Sequence, residues 1–196
     1  CPGRKFLART RCLEKEERSL VKPVVEILDT TLRDGAQMEG VSFSVNDKFQ
    51  ILDNLVTIGV RYIEAGNPGS NPKDREFFTK FNEKRPVMDQ TELVAFGPTK
   101  RKGVKPEEDT GLADLLSAQT STIVIFGKTW DLEVRDILRC TNEENMALIR
   151  ETTEYLRSQG RDVIFDAEHF FEAYRANPDY AVACLKAARD GGALCA

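Results

Sequence analysis

The chain has 196 residues, 41% of them hydrophobic and 31% charged, and its 28 basic and 32 acidic side chains leave a formal charge of -4. That is enough apolar content for one cored domain and it argues against disorder. No run approaches the ~20 apolar residues of a membrane-spanning helix, and the mild acidity gives no general attraction to nucleic acid or to an anionic membrane.

Residues 1–22 are rich in Arg, Lys and Glu and read as a poorly ordered lead-in to a domain over 23–196. They lack the apolar core of a secretory signal, and Glu14, Glu16 and Glu17 argue against a transit peptide. Beginning on Cys1, the chain reads as a piece of a longer one. The five cysteines, Cys1, Cys12, Cys140, Cys184 and Cys195, are scattered and lack CxxC spacing. Neither a disulfide framework nor a structural zinc site is indicated, which fits a reducing, cytoplasmic setting.

The first strand is expected over 24–32 (VVEILDTTL). Ser44 with Asp47 signals a helix start, Val45, Phe49, Leu52 and Val56 follow at helical spacing, and Gly59 ends the helix. A second strand is expected over 61–66, then a turn-rich loop and a helix near 73–82 carrying Phe77, Phe78 and Phe81. Strands over 92–97 and 120–127 flank a helix near 110–118. Thr141 with Glu144 starts another helix, with Met146, Ile149, Thr153 and Leu156 inward, closed by Gly160. The fifth strand is expected over 162–170. Asn177-Pro178 opens a last helix with Ala181, Leu185 and Ala188 inward, and ALCA (193–196) reads as the start of a sixth strand.

Such βα alternation means an α/β fold with parallel strands and right-handed crossovers. A doubly wound sheet and a (β/α)8 TIM barrel both satisfy it. A complete barrel takes ~250 residues, so a barrel here is incomplete, about five βα units plus the start of strand six. Its open edges predict marginal stability or self-association in isolation.

Charged residues cluster at the C-terminal ends of the strands, where parallel βα folds bind ligands. The first strand runs into DTTLRDGAQ, the second ends with Glu64, and the fifth carries Asp166, Glu168 and His169. Alternation predicts that Asp29, Thr31 and Arg33 share one side, as do Ile164, Asp166 and Glu168. Asp34 offers a hard oxygen ligand for a divalent cation, Arg33 a rigid fork for a carboxylate or developing enolate oxygen, and Glu168 an acid or base. Salt bridges tying strand ends together explain the same residues equally well. Gly127-Lys128-Thr129 is no phosphate loop, because Thr122 stands where its opening glycine belongs. Lys100, Arg101 and Lys102 form either a solvated loop or a contact for phosphates or a carboxylate. His169 follows Glu168 onto the opposite face and suits a structural or supporting role.

DTTLRDGAQ on a first strand resembles the signature of the pyruvate-carboxyltransferase-like barrels, which include isopropylmalate, homocitrate and citramalate synthases and hydroxymethylglutaryl-CoA lyase. GVSFSVNDKFQI, YIEAGNPGSNPKD, LVAFGPTKRKGV and DAEHFFEAYRANPDYA are similar to the citramalate-synthase branch of that family, over about residues 24–196. The resemblance implies a (β/α)8 TIM barrel that condenses acetyl-CoA, as co-substrate, with a 2-oxo acid on a divalent metal (Mg, Mn or Zn) and then hydrolyses the thioester. It implies pyruvate as the 2-oxo acid, a place in isoleucine biosynthesis, and a homodimer of the complete protein.

In those terms Asp34 ligates the metal, Arg33 contacts the 2-oxo acid and polarises its ketone, Gln37 supports that site, Glu168 handles a proton, and Glu64 and Asp166 lie in the substrate pocket. Ile164 stands where homocitrate synthases are expected to place an arginine for a distal carboxylate. Burying that carboxylate against an apolar side chain is costly, which favours pyruvate. Phe96 and Phe126 either narrow the pocket or pack as ordinary barrel residues. The family's His-x-His metal pair has no counterpart, since His169 is the one histidine of the sequence, and Asp34 alone does not make a tight site. These 196 residues by themselves are therefore expected to be inactive. The alternatives are an isopropylmalate or homocitrate synthase using another 2-oxo acid, and a non-catalytic truncated piece.

Overall fold

The computed structural model describes residues 25–196, so the expected lead-in over 1–22 lies outside the described residues. Five strands, β1 (Leu28–Asp29), β2 (Tyr62–Glu64), β3 (Glu92–Pro98), β4 (Thr122–Lys128) and β5 (Asp162–Glu168), lie side by side in sequence order, all parallel. This is the order of a barrel wall, and it rules out the strand-order reversal of a doubly wound sheet. Beyond β5, Leu194 N–H donates to Val163 O (2.7 Å) and Phe165 N–H to Cys195 O (2.9 Å), so a sixth parallel segment begins where expected.

The helices are α1 (Val45–Ile58), α2 (Pro72–Lys84), α3 (Thr110–Ser117), α4 (Asn142–Ser158), α5 (Phe170–Ala176) and α6 (Pro178–Asp190). The caps fall where the sequence puts them. Ser44 and Asp47 form a reciprocal capping box, as do Thr141 and Glu144, and Asn177 caps α6 ahead of Pro178.

Strand alternation splits the apolar residues. Leu93, Ala95, Ile123, Ile125, Val163 and Phe165 face the helices and join Leu52, Phe77, Leu112, Ile149 and Cys184 in the main core. Tyr62, Val94, Phe96 and Val124 face the barrel interior, with Leu28, Phe126 and Ile164 packed against them. The side chains that follow on this inner file, Glu64, Asp166 and Lys128, are charged. Among the described residues Cys140, Cys184 and Cys195 are free thiols, and no helix is long and apolar enough to cross a membrane.

Two elements depart from expectation. The first strand stops at Asp29, because its carboxylate accepts the Thr31 N–H (2.9 Å) and hydroxyl (3.2 Å) and turns the chain. A tight turn, not strand alternation, therefore sets the direction of Thr31 and Arg33. The fifth strand ends at Glu168: His169 adopts a left-handed conformation (φ 56°) and 170–176 is helix, not strand.

Candidate active site

The turn after β1 is built on one carbonyl. Thr30 O accepts the N–H groups of Arg33 (3.1 Å), Asp34 (2.8 Å) and Gly35 (3.2 Å). Leu32 is fully buried and anchors the turn, which projects Arg33 across the mouth of the strands.

Three contacts fix the Arg33 guanidinium. Its Nε donates to Glu64 Oε1, its Nη1 lies 3.2 Å from Asp34 Oδ1, and its Cζ stands 3.9 Å from the centroid of the Phe96 ring. Phe96 in turn stacks on Phe126, centroids 5.0 Å apart and planes at 16°. A cation held this way keeps its fork oriented at low entropic cost.

Glu64 is the most enclosed of these groups, its side chain only 2% exposed. Burial pushes its carboxyl up to about 7; the Arg33 hydrogen bond and charge oppose the rise, and Asp166 and Asp34 add to it. Asp166 reaches solvent, yet the protein around it raises its carboxyl as well. Burial is the main cause, Arg33 pulls the other way, and Glu168 and Asp34 reinforce. Arg33, Asp34, Glu64, Asp166 and Glu168 thus form one electrostatic cluster.

Beside Arg33 lies a cavity of about 290 Å³. Arg33, Gln37, Phe96 and Phe126 line it together with Lys48, Asn67, Asn71 and Asp74. Four of the residues expected in a site are therefore brought to one cavity. Glu64 and Asp34 flank it through Arg33, and Ile164 packs within the interior apolar file. Glu168 leans toward β4, its Oε2 2.8 Å from Lys128 Nζ. No hydrogen bond to Glu168 Oε2 has good direction, and the contact is ionic. The salt-bridge reading holds for the Arg33–Glu64 and Lys128–Glu168 pairs, which tie strand ends together.

The solvated-loop reading of Lys100, Arg101 and Lys102 holds for Arg101 and Lys102, which are exposed, and fails for Lys100, which is buried. Lys100 is buried against Glu151 (3.0 Å) and Val104 O (2.9 Å), Arg101 binds Asp109, and Lys102 pairs with Glu144 (2.9 Å). His169 is half-exposed, its Nε2 3.7 Å from Glu133 Oε1.

The sequence reading missed the buried pair of Lys48 and Asp74. Lys48 Nζ donates to Ala65 O (2.7 Å) and Asp74 Oδ1 (2.5 Å), while Asp74 Oδ2 accepts the Asn67 N–H (2.8 Å). A lysine on the apolar stripe of Val45, Leu52 and Val56 was the available signal.

For a divalent metal, Asp34 has the right chemistry: a hard carboxylate, 63% exposed beside the cavity mouth. It is one donor. Among the described residues no three His, Cys, Asp or Glu side chains gather closely enough to hold a metal ion, so these residues do not by themselves fit a closed metal site.

Parallel strands in barrel order, with charged groups gathered at their C-terminal ends, define a TIM-barrel-type protein. The HMGL-like family model matches residues 24–196, and the chain belongs to that family. Among known relatives, the (R)-citramalate synthase of Aquifex aeolicus is 52% identical over 169 residues, 86% of this chain and 32% of that protein. The (R)-citramalate synthase of Geobacter sulfurreducens is 48% identical over 172 residues, 88% of this chain and 32% of that protein. The chain therefore spans about a third of the length of these relatives. The solved HMG-CoA lyase of Bacillus subtilis superposes with a TM-score of 0.65 at 16% identity, over 86% of this chain and 55% of that one, a likeness of fold.

Proposed function

We propose that the protein acts in an (R)-citramalate synthase, joining acetyl-CoA to pyruvate and hydrolysing the product thioester. The observation that carries this reading is the Arg33 guanidinium, held by Glu64 and Phe96 at the edge of a cavity sized for a small molecule. A planar fork matches the carboxylate and ketone oxygens of a 2-oxo acid.

The acetyl methyl group loses a proton, and the resulting carbon nucleophile attacks the ketone carbon of pyruvate. Negative charge develops on the ketone oxygen, and Arg33 stabilises it. Glu168 handles a proton of this step once it is released from Lys128. Water then cleaves the thioester, freeing CoA and citramalate and making the sequence irreversible. Gln37 lines the pocket, and Glu64 holds Arg33 in place. Asp34 would give one ligand to magnesium, manganese or zinc, whose chemistry when bound is Lewis-acid polarisation of the ketone.

Phe96, Phe126 and Ile164 make the inner surface apolar, which suits a methyl group and disfavours a second carboxylate. The setting would be cytoplasmic and the working form a homodimer. The test is release of free CoA by the intact protein with acetyl-CoA, magnesium and a panel of 2-oxo acids. Pyruvate is expected to react fastest; fastest turnover with 2-oxoisovalerate or 2-oxoglutarate would overturn the proposal.

A further inference from the structure

The condensation builds negative charge on two oxygens in turn. Breaking a methyl C–H bond of the acetyl group drives electrons onto the thioester carbonyl oxygen. Attack on the ketone then moves charge to the ketone oxygen, which Arg33 serves. The thioester oxygen belongs to a neutral group when it binds, and a guanidinium is drawn to the 2-oxo acid carboxylate ahead of it. A neutral donor, fixed before the substrate arrives, suits the thioester oxygen.

Asn67, in the loop after β2, lines the same cavity as Arg33. Its Oδ1 accepts the N–H groups of Gly69 (3.0 Å) and Ser70 (3.2 Å). A backbone N–H can bond only the oxygen of a side-chain amide, so the orientation of this amide is settled. Its Nδ2 takes the other edge and, among the described residues, donates to no protein group. The main chain is equally fixed: the Asn67 N–H donates to Asp74 Oδ2 (2.8 Å), Asp74 is paired with Lys48, and Arg75 Nε donates to Pro68 O (3.2 Å). The neighbouring polar groups suit the task less. The Lys48 ammonium is committed to Ala65 O and Asp74, and Ser70, Asn71 and Lys73 are exposed, whereas Asn67 is half-buried.

We propose that Asn67 is a catalytic residue whose Nδ2 donates to the carbonyl oxygen of the acetyl thioester and stabilises the enolate formed there. The proposal rests on the reading of the protein as a condensing enzyme for acetyl-CoA. In this step the methyl C–H bond breaks and the proton passes to the base, Glu168 in that reading. The C–H electron pair forms the C=C bond, and the carbonyl π pair moves onto the oxygen beside Nδ2. Charge leaves that oxygen again as the C–C bond to the ketone carbon forms. Asn67 keeps its own protons throughout.

The test uses the intact protein and the variant Asn67→Asp, which keeps an oxygen for Gly69 and Ser70 but loses the donor. It should lower kcat by about 10² or more while the KM for pyruvate stays within about twofold of wild type. Acetyl-CoA deuterated at the methyl group should slow the variant by at least the factor seen in wild type, because deprotonation has become harder. A crystal structure with the ketone analogue of acetyl-CoA, in which a methylene replaces the thioester sulfur, should place the carbonyl oxygen within about 3.2 Å of Asn67 Nδ2. A kcat for Asn67→Asp within about threefold of wild type would overturn the proposal. So would a raised KM for pyruvate with kcat intact, loss of the isotope effect, or an analogue carbonyl bound away from Asn67. Faster turnover of 2-oxoglutarate than of pyruvate would instead defeat the choice of 2-oxo acid and leave Asn67 in its role, since the acetyl thioester is the same.

Discussion

Arg33 and Glu64 form an ion pair in which the carboxylate, 2% exposed, is more deeply buried than the guanidinium, 17% exposed. The acid belongs to β2 and the base to the turn after β1, so the pair locks two neighbouring strand ends together. Glu64 titrates near 4.5 when free and at about 7 in the fold, chiefly through burial. The folded state therefore binds this proton more tightly than the unfolded chain does. Its contribution to stability is complete below pH 4.5 and is lost as pH rises through about 7. Each unit of displacement is worth ~1.4 kcal/mol. Urea denaturation between pH 5 and pH 8 should show wild-type stability falling with pH, and Glu64→Gln should flatten most of the slope. Asp166, raised in the same direction, should account for the remainder.

Arg33→Ala should cut turnover by about 10²–10³, the usual loss for a fixed donor to a developing oxyanion, while the circular dichroism spectrum stays native. The fold tolerates the change because Glu64 can take up a proton once its partner is gone. Arg33→Lys should recover little, since an ammonium offers neither a planar fork nor a flat face for Phe96. Steady-state kinetics on the intact protein checks both.

Phe96 and Phe126 stack on one another, but only Phe96 also carries Arg33. Their variants should therefore differ. Phe126→Ala should widen the cavity and shift kcat/KM toward bulkier 2-oxo acids by about 10-fold or more, with modest loss on pyruvate. Phe96→Ala should lower the rate with every 2-oxo acid, because the cation loses its platform. Competition assays with pyruvate and 2-oxoisovalerate separate the two outcomes.

Lys48 and Asp74 make a buried pair that pins the loop after β2. Gly66 belongs to the same construction: its φ is +142°, and a Cβ would stand 2.2 Å from Asp74 Oδ2. Lys48→Met should cost ~3–5 kcal/mol by stranding Asp74, and the double change Lys48→Met with Asp74→Leu should cost less than the single one. Gly66→Ala should be destabilising even with Asp74→Ala, since backbone strain outlasts the clash. Denaturation midpoints measure all four.

Much of this molecule could be read from local chemistry. Ser44 with Asp47, Thr141 with Glu144 and Asn177-Pro178 mark helix starts by hydrogen bonds made within four residues, so sequence alone places them. Alternation in β3 to β5 likewise divided Phe96, Phe126 and Ile164 from the helix-facing side chains. The failures are equally physical. VVEILDTTL has the composition of a long strand, but the Asp29 carboxylate captures the next turn. The strand expected over 162–170 takes in His169 and Phe170, whereas the left-handed His169 starts α5. Lys48, Lys128 and Glu133 acquire meaning only from partners on other elements, and no spacing rule connects them.

The most direct test of the account is a crystal structure of the intact protein with pyruvate bound. The carboxylate or ketone oxygen is predicted within hydrogen-bond distance of the Arg33 guanidinium, with the methyl group toward Phe96 and Phe126. Pyruvate lodged elsewhere, with the Arg33 and Glu64 pair untouched by ligand, would contradict it.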